Sequence, residues 1–184
     1  MGVFDESICD CCVCPMQCVM KQLVGVGLIG IDTPISRVTT IITSVEDFIV
    51  STSDEGDIPI CQITHVDIGD PTNTNITQVL SALKSIKNNK GECACCEDPM
   101  TNLLSSEIGN TFDVEFISTF TSPLPNEIIG VGEGILIGLE GAAGASLFLN
   151  TFSTCSITRV IPLTTEQIND PDRPSRRTIS PLAT

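Results

Sequence analysis

A cysteine-rich box occurs twice in this chain, and that repetition limits what the chain can fold into. Cys9-Asp10-Cys11-Cys12-Val13-Cys14-Pro15-Met16 and Cys93-Ala94-Cys95-Cys96-Glu97-Asp98-Pro99-Met100 share the pattern C-x-C-C-x-x-P-M. A glycine, Gly25 or Gly109, stands nine residues beyond each methionine. Agreement of that length marks a tandem duplication, so the fold must be one that two copies of a small unit can build. The unit endings repeat as well: Cys61-Gln62-Ile63-Thr64-His65-Val66 and Cys155-Ser156-Ile157-Thr158-Arg159-Val160 share C-x-I-T-x-V. The boxes lie 84 positions apart and the endings 94. The extra residues belong inside the second unit, mostly around Gly141-Ala142-Ala143-Gly144-Ala145, because a longer hairpin tip costs little.

Each box leads into a short helix. Pro15 suits a first helical turn, and Met16, Val19, Met20 and Leu23 recur at helical spacing up to Gly25. After the second box Met100, Leu103, Leu104 and Ile108 are expected to form the matching apolar face. The first unit then reads as strands: Val26 to Ile31, Val38 to Val45, Phe48 to Val50, Ile58 to Ile60 and Ile63 to Val66, with a turn at Ser53-Asp54-Glu55-Gly56-Asp57. Five short strands in about forty residues favour a small, strongly bent barrel over a flat sheet. The second unit repeats the order. Phe112, Val114 and Phe116 alternate, Ile128, Ile129 and Val131 lead into Gly134 to Ile137, and Leu147 to Leu149 precede Cys155 to Val160. The expected fold is mainly β: two tandem small SH3/Sm-like barrels, each preceded by a cysteine box and a short helix. The units are residues 1–68 and 92–162, joined by a linker over 69–91 and followed by a polar tail over 163–184. Within the linker, Val79, Leu80, Leu83 and Ile86 fit either a short helix or an edge strand.

Charge and motifs remove several function classes. With 23 acidic against nine basic residues the net charge is −14, which repels phosphate backbones, so no nucleic-acid partner is expected. Arg173, Arg176 and Arg177 cluster in the tail and read as solvated or partner-docking. No run approaches the ~20 apolar residues of a membrane span, and the first nine residues do not read as a signal peptide. Catalysis is not expected. His65 is the one histidine, with no motif around it, and it reads as a surface or packing residue. Gly130-Val131-Gly132-Glu133-Gly134 lies within a strand pattern, which makes it a bend or bulge instead of a phosphate loop. Asn75-Ile76-Thr77 reads as plain loop, and Asp54-Glu55-Gly56-Asp57 as a solvated hairpin without calcium-ligand spacing.

The run Ser44-Val45-Glu46-Asp47-Phe48-Ile49-Val50, then an acidic turn, Ile58-Pro59-Ile60 and the x-I-T-x-V ending resemble Sm-like and SH3-like small barrels. The pattern is most similar to single-barrel proteins of endospore-forming bacilli. In the second unit Val131, Glu133, Ile135 and Leu136 match, while Ile-Pro-Ile becomes Leu147-Phe148-Leu149. The boxes resemble the cysteine-rich segments of spore coat, exosporium and endospore-appendage subunits. That resemblance implies a homopolymer on the spore surface with other spore-surface proteins as partners. It also implies synthesis in a mother cell whose death oxidises the thiols.

Two uses of the cysteines follow. Cys11-x-x-Cys14 and Cys93-x-x-Cys96 have the gap that lets paired sulfurs reach one tetrahedral ion, so zinc is the alternative cofactor. The adjacent pairs Cys11-Cys12 and Cys95-Cys96, and the lack of a histidine in the cluster, count against it. The favoured reading holds no cofactor. Cys61 and Cys155 sit at the same place in each unit and could tie box to barrel, where closing a ~50-residue loop contributes about 4 kcal/mol. Surplus thiols among Cys9, Cys11, Cys12, Cys14, Cys93, Cys95 and Cys96 then serve as cross-links between chains. Cys18, on the first helix, reads equally as a buried thiol or a bonded one. The expected function is a structural, self-assembling, disulfide-linked subunit; the alternative is a zinc-binding tandem SH3-like adaptor.

Overall fold

The computed structural model describes residues 13–86, 98–119, 124–141 and 146–168. Among these, eleven strands form an eight-stranded antiparallel sheet and a separate three-stranded sheet, flanked by short helices. The fold is therefore mainly β.

Helix α1, Val13–Gln22, follows the first box as the spacing predicts, and it buries Pro15, Met16, Val19 and Met20. The chain leaves it through Gly25 and Gly27, both at positive φ (75° and 20°). This turn keeps Val26 to Leu28 out of the sheet, so β1 is only Ile29–Asp32. The expected strand from Val38 to Val45 is split into β2, Arg37–Thr40, and β3, Ile42–Glu46, which belong to different sheets. The bend falls at Ile41, whose carbonyl accepts the Ser53 N–H instead of continuing a ladder. A two-residue turn at Asp47 and Phe48, both left-handed, leads into β4, Ile49–Thr52. Such primed turns match strand twist but cost a bulky residue strain. Here Gln17 of α1 accepts the Phe48 N–H at 3.1 Å and helps hold the turn. Strand β5, Asp57–Pro59, a 3-10 turn, Ile60–Gln62, and β6, His65–Gly69, complete the first half.

The region expected to be a linker contributes to the core. Thr72 caps helix α2, Asn73–Ser81, in a reciprocal capping box with Asn75, and Val79 is fully buried. The glycine-rich run of the second half makes room for this segment. A Cβ on Gly132 would lie 2.9 Å from the Lys84 carbonyl, and one on Gly130 would lie 2.6 Å from Leu80.

The second half begins with helix α3, Asp98–Ser105. Its apolar face is narrower than expected: Leu104 and Thr101 are buried, whereas Leu103 and Ile108 are 53% and 56% exposed. The helix stops at Ser105, so Ile108 falls outside the helical period. Then come β7, Thr111–Phe116, β8, Leu124–Gly132, and β9, Ile135–Glu140. Strand β10, Phe148–Ser153, a second 3-10 turn, Thr154–Ser156, and β11, Ile157–Pro162, follow. A short helix, α4, Thr165–Ile168, ends the described chain. The bend or bulge expected at Gly130 to Gly134 is there: the register shifts between Ile128 and Gly130, and a hairpin turn follows, with Gly134 at φ 70°.

Both halves share one order. The last strand pairs with the first, and the first with the second; the third and fourth follow, with a 3-10 turn before the last. In the first half this is β6-β1-β2/β3-β4-β5, and in the second it is β11-β7-β8-β9-β10. The second half stays in one sheet because β8 bends at its bulge and does not break. No ladder among the described residues closes either half into a barrel.

The halves are joined because β10 pairs antiparallel with β6, from Phe148 opposite Gly69 to Phe152 opposite His65. The larger core consequently crosses the join. It combines Met16, Val19, Met20, Ile29, Ile31, Val66 and Ile68 with Ile135, Ile137 and Leu149 of the second half. The smaller core holds Leu104, Phe112, Val114, Phe116, Ile128, Leu136 and Phe152.

Candidate functional site

The join carries the most concentrated chemistry among the described residues. Strand periodicity sends alternate side chains to opposite faces. In β6, Val66 and Ile68 therefore enter the larger core, while His65 and Asp67 point the other way. The ladder sets Asp32 opposite both His65 and Arg37, and Asp67 opposite both Gly30 and Asn150. Four distant stretches thereby meet on one face. Asp32 and Asn150 are 0% exposed, His65 1% and Asp67 5%.

The hydrogen bonds form one network. Arg37 Nη1 donates to Asp32 Oδ2 at 2.6 Å, and its Nη2 donates to Asp67 Oδ2. Ser118 Oγ donates to Asp32 Oδ1 at 3.2 Å, linking the second half to the first. His65 Nδ1 lies 2.8 Å from Asp32 Oδ2, and its Nε2 lies 3.0 Å from Asn150 Oδ1. Asn150 Nδ2 donates to Asn126 Oδ1 at 2.8 Å and to Glu140 Oε2 at 3.2 Å. A carboxylate only accepts, so the Glu140 contact turns the Asn150 carbonyl toward the ring. Both ring nitrogens then face side-chain oxygens. The ring also stacks on Phe152 at 4.6 Å and tilts against Phe116 at 4.7 Å, where the smaller core begins.

Gly30 is what lets Arg37 reach across β1. A Cβ there would collide with the Arg37 guanidinium and lie 2.6 Å from Asp67 Oδ2. Burial alone pulls the Arg37 guanidinium down. The charges and hydrogen bonds of Asp67 and Asp32 outweigh that pull and hold it above its ordinary value. Breaking such a group by removing one partner costs about 3–5 kcal/mol, because a buried charge is left uncompensated.

The geometry fits neither of two chemical roles. Asp32, His65 and Asp67 present ligand atoms within 4.8 Å of one another, a spacing that suits a metal ion. Arg37 already bridges both carboxylates, however, and the nearer ring nitrogen already faces Asp32. The cation position is taken by the guanidinium, so these residues do not fit a metal. Nor does the His65–Asp32 pair fit general-base catalysis. Nε2 is capped by Asn150, and a ring 1% exposed offers no approach to a substrate. The network acts as a polar lock between the halves.

The cysteines are placed elsewhere. Cys14, in α1, and Cys155, in the second 3-10 turn, are disulfide-bonded. Cys18, half-buried on α1, and Cys61, exposed on the first 3-10 turn, are free thiols. The expected intramolecular staple at Cys61 is therefore not formed, since that side chain faces solvent. Cys9, Cys11, Cys12, Cys93, Cys95 and Cys96 lie outside the described residues, as do Arg173, Arg176 and Arg177. Asn75, the sequon residue expected in a loop, belongs to helix α2.

Sequence reasoning singled out His65 alone from this network and took it for a surface or packing residue. It missed Asp32, Arg37, Asp67, Asn126 and Asn150. One signal was available: Asp32 and Asp67 each interrupt an apolar strand, in Ile29-Gly30-Ile31-Asp32 and Val66-Asp67-Ile68. A carboxylate in such a run needs a buried partner. No described helix is long and apolar enough to cross a membrane. No family model, no curated protein and no solved structure matches this chain.

Proposed function

We propose that this chain is a structural subunit that assembles with copies of itself into a disulfide-cross-linked layer or fibre on a spore surface. One observation carries the proposal: the cysteine box is duplicated within one chain, over Cys9 to Cys14 and Cys93 to Cys96. Further support comes from the sealed polar lock, which leaves that face of the join with structural work alone, and from the exposed Cys61 thiol. The repeated strand order, with a 3-10 turn before each last strand, supports reading each half as an open SH3/Sm-like barrel. By position beside that turn, Ile58-Pro59-Ile60 corresponds to Phe152-Ser153-Thr154, not to Leu147-Phe148-Leu149. The protein is made in a mother-cell cytoplasm, partners with itself and other spore-surface proteins, and binds neither nucleic acid nor membrane.

The test compares the purified protein on denaturing gels with and without reductant, with zinc measured in the same sample. The proposal expects heat-stable ladders that collapse on reduction. A reductant-insensitive monomer carrying one zinc per chain would overturn it in favour of the adaptor reading.

A further inference from the structure

The join between the halves uses two edges, and each half carries the counterpart of the edge it does not use. Strand β6, last in the first half, pairs with β10, fourth in the second. The unused counterparts are β11, last in the second half, and β5, fourth in the first. Among the described residues, β11 pairs only with β7 and β5 only with β4. A second copy bringing its β5 to this β11 would repeat the internal join head to tail, and nothing in that operation closes it. Such a sheet would grow without limit.

Two prolines stand where that growth needs donors. In the join, the Ser153 N–H donates to the Thr64 carbonyl at 3.1 Å. The residue at the same place beside the first 3-10 turn is Pro59, which has no N–H. Its nitrogen faces the unpaired side, because the next residue, Ile60, donates inward to Phe48 at 2.9 Å. On the other edge, Ile68 lies in the join opposite Leu149, and its counterpart in β11 is Pro162. Leu163 donates inward to Thr111 at 2.9 Å, so the Pro162 nitrogen also faces the unpaired side. Strand β5 is three residues long where β10 has six. Short strands and outward prolines are how sheet edges are kept from pairing.

We propose that Pro59 and Pro162 stop head-to-tail growth of the sheet through β5 and β11, so that copies must be linked through other contacts. This stands on the strand ladders and does not depend on the spore-surface reading. The test uses the full chain in reductant, with Pro59→Ser and Pro162→Ile copying the residues of the working join. Sedimentation velocity should give a 19.6 kDa monomer for the wild-type chain. The double variant should associate about tenfold more tightly or better, from two recovered donors, with mass rising with concentration. A folded double variant, matching the wild type in circular dichroism, that stays monomeric overturns the proposal. If the double variant does not fold, amide exchange on the reduced wild-type chain decides. Fast exchange at Asp57 and Val160 over the whole concentration range supports the proposal. Protection of both amides as concentration rises means the edges already pair and overturns it.

Discussion

Strands β6 and β11 end their halves with the same C-x-I-T-x-V pattern and differ in their neighbours. Strand β6 lies between β1 and β10, and its first four residues are all buried. Among the described residues strand β11 has β7 on one side only, and none of its residues is fully buried. The fifth position of the pattern records the difference. His65 is sealed between Asp32 and Asn150, while Arg159 lies on the surface and pairs with Glu115. Duplicated sequence supplied two equal edges, and burial of one of them turned its polar residue into a lock. The hydrogen bonds that Arg159 donates to Glu115, and then the charge of that carboxylate, hold the guanidinium above its ordinary value, but an exposed pair of this kind adds little stability.

The contrast can be broken by substitution, starting with the largest expected effect. Arg37→Met leaves Asp32 and Asp67 buried without their counter-charge and should lower unfolding free energy by about 3–5 kcal/mol in urea titrations. Arg159→Met should leave the midpoint unchanged. Equal losses for the two would remove the distinction between join and edge. Asn150→Leu strips the acceptor from His65 Nε2 and the donor from Asn126, and should cost about 1–3 kcal/mol in the same assay. If the melting curve is unmoved, the network is not a lock.

A smaller effect concerns the two box-following helices. Thr101 replaces Gln17 at the matching helical position, and its buried Oγ1 has no hydrogen-bond partner among the described residues. Thr101→Val keeps the shape and removes that group, so thermal melting should show no loss and a gain of up to about 1 kcal/mol. A clear loss would mean that the hydroxyl is satisfied after all.

The smallest effect is one of pH. Asp54 is exposed, and hydrogen bonds from Thr40 at 2.6 Å and then Ser53 at 2.9 Å hold its carboxyl below its ordinary value. Because the folded value is the lower one, this contribution is complete above the ordinary carboxylate range and fades as pH falls through the folded value. Thr40→Val should therefore lower stability slightly at neutral pH and narrow the difference between neutral and acid. Arg37 works in the opposite sense. Its contribution is complete below its ordinary, very basic value and is lost only as pH rises through the still higher folded value, so the part that Arg37 supplies should hold steady from mild acid to mild base. A profile in which Thr40→Val leaves the acid limb untouched would remove Asp54 from the account.

What could be read from the sequence was local or repeated. The duplication, the two helices after the boxes, the turn ending at Gly56 and most strands follow from periodicity and turn residues close together in the chain. The split at Ile41 was not legible, because Val38 to Val45 reads as one β-branched run, and only the pull of two sheets divides it. Helix α2 was ambiguous until its Thr72–Asn75 cap and the clearance at Gly130 and Gly132 were visible. The lock was hidden for a further reason. Asp32, His65 and Asn150 are brought together by β6 pairing with a strand from the other half, and no local pattern announces which edges will join. Cys61 and Cys155 carry the same pattern, yet Cys61 is exposed and Cys155 only partly so, a difference no local pattern shows.

Native-state amide exchange at two equivalent valines tests the account most directly. Val66, in the middle of β6, has a strand on either side, so its amide should exchange only as fast as the whole protein unfolds. Val160 holds the matching position in β11, but its N–H faces the unpaired edge and should exchange orders of magnitude faster. Equal, strong protection at both would contradict the claim that one edge is sealed into a join and the other is left open.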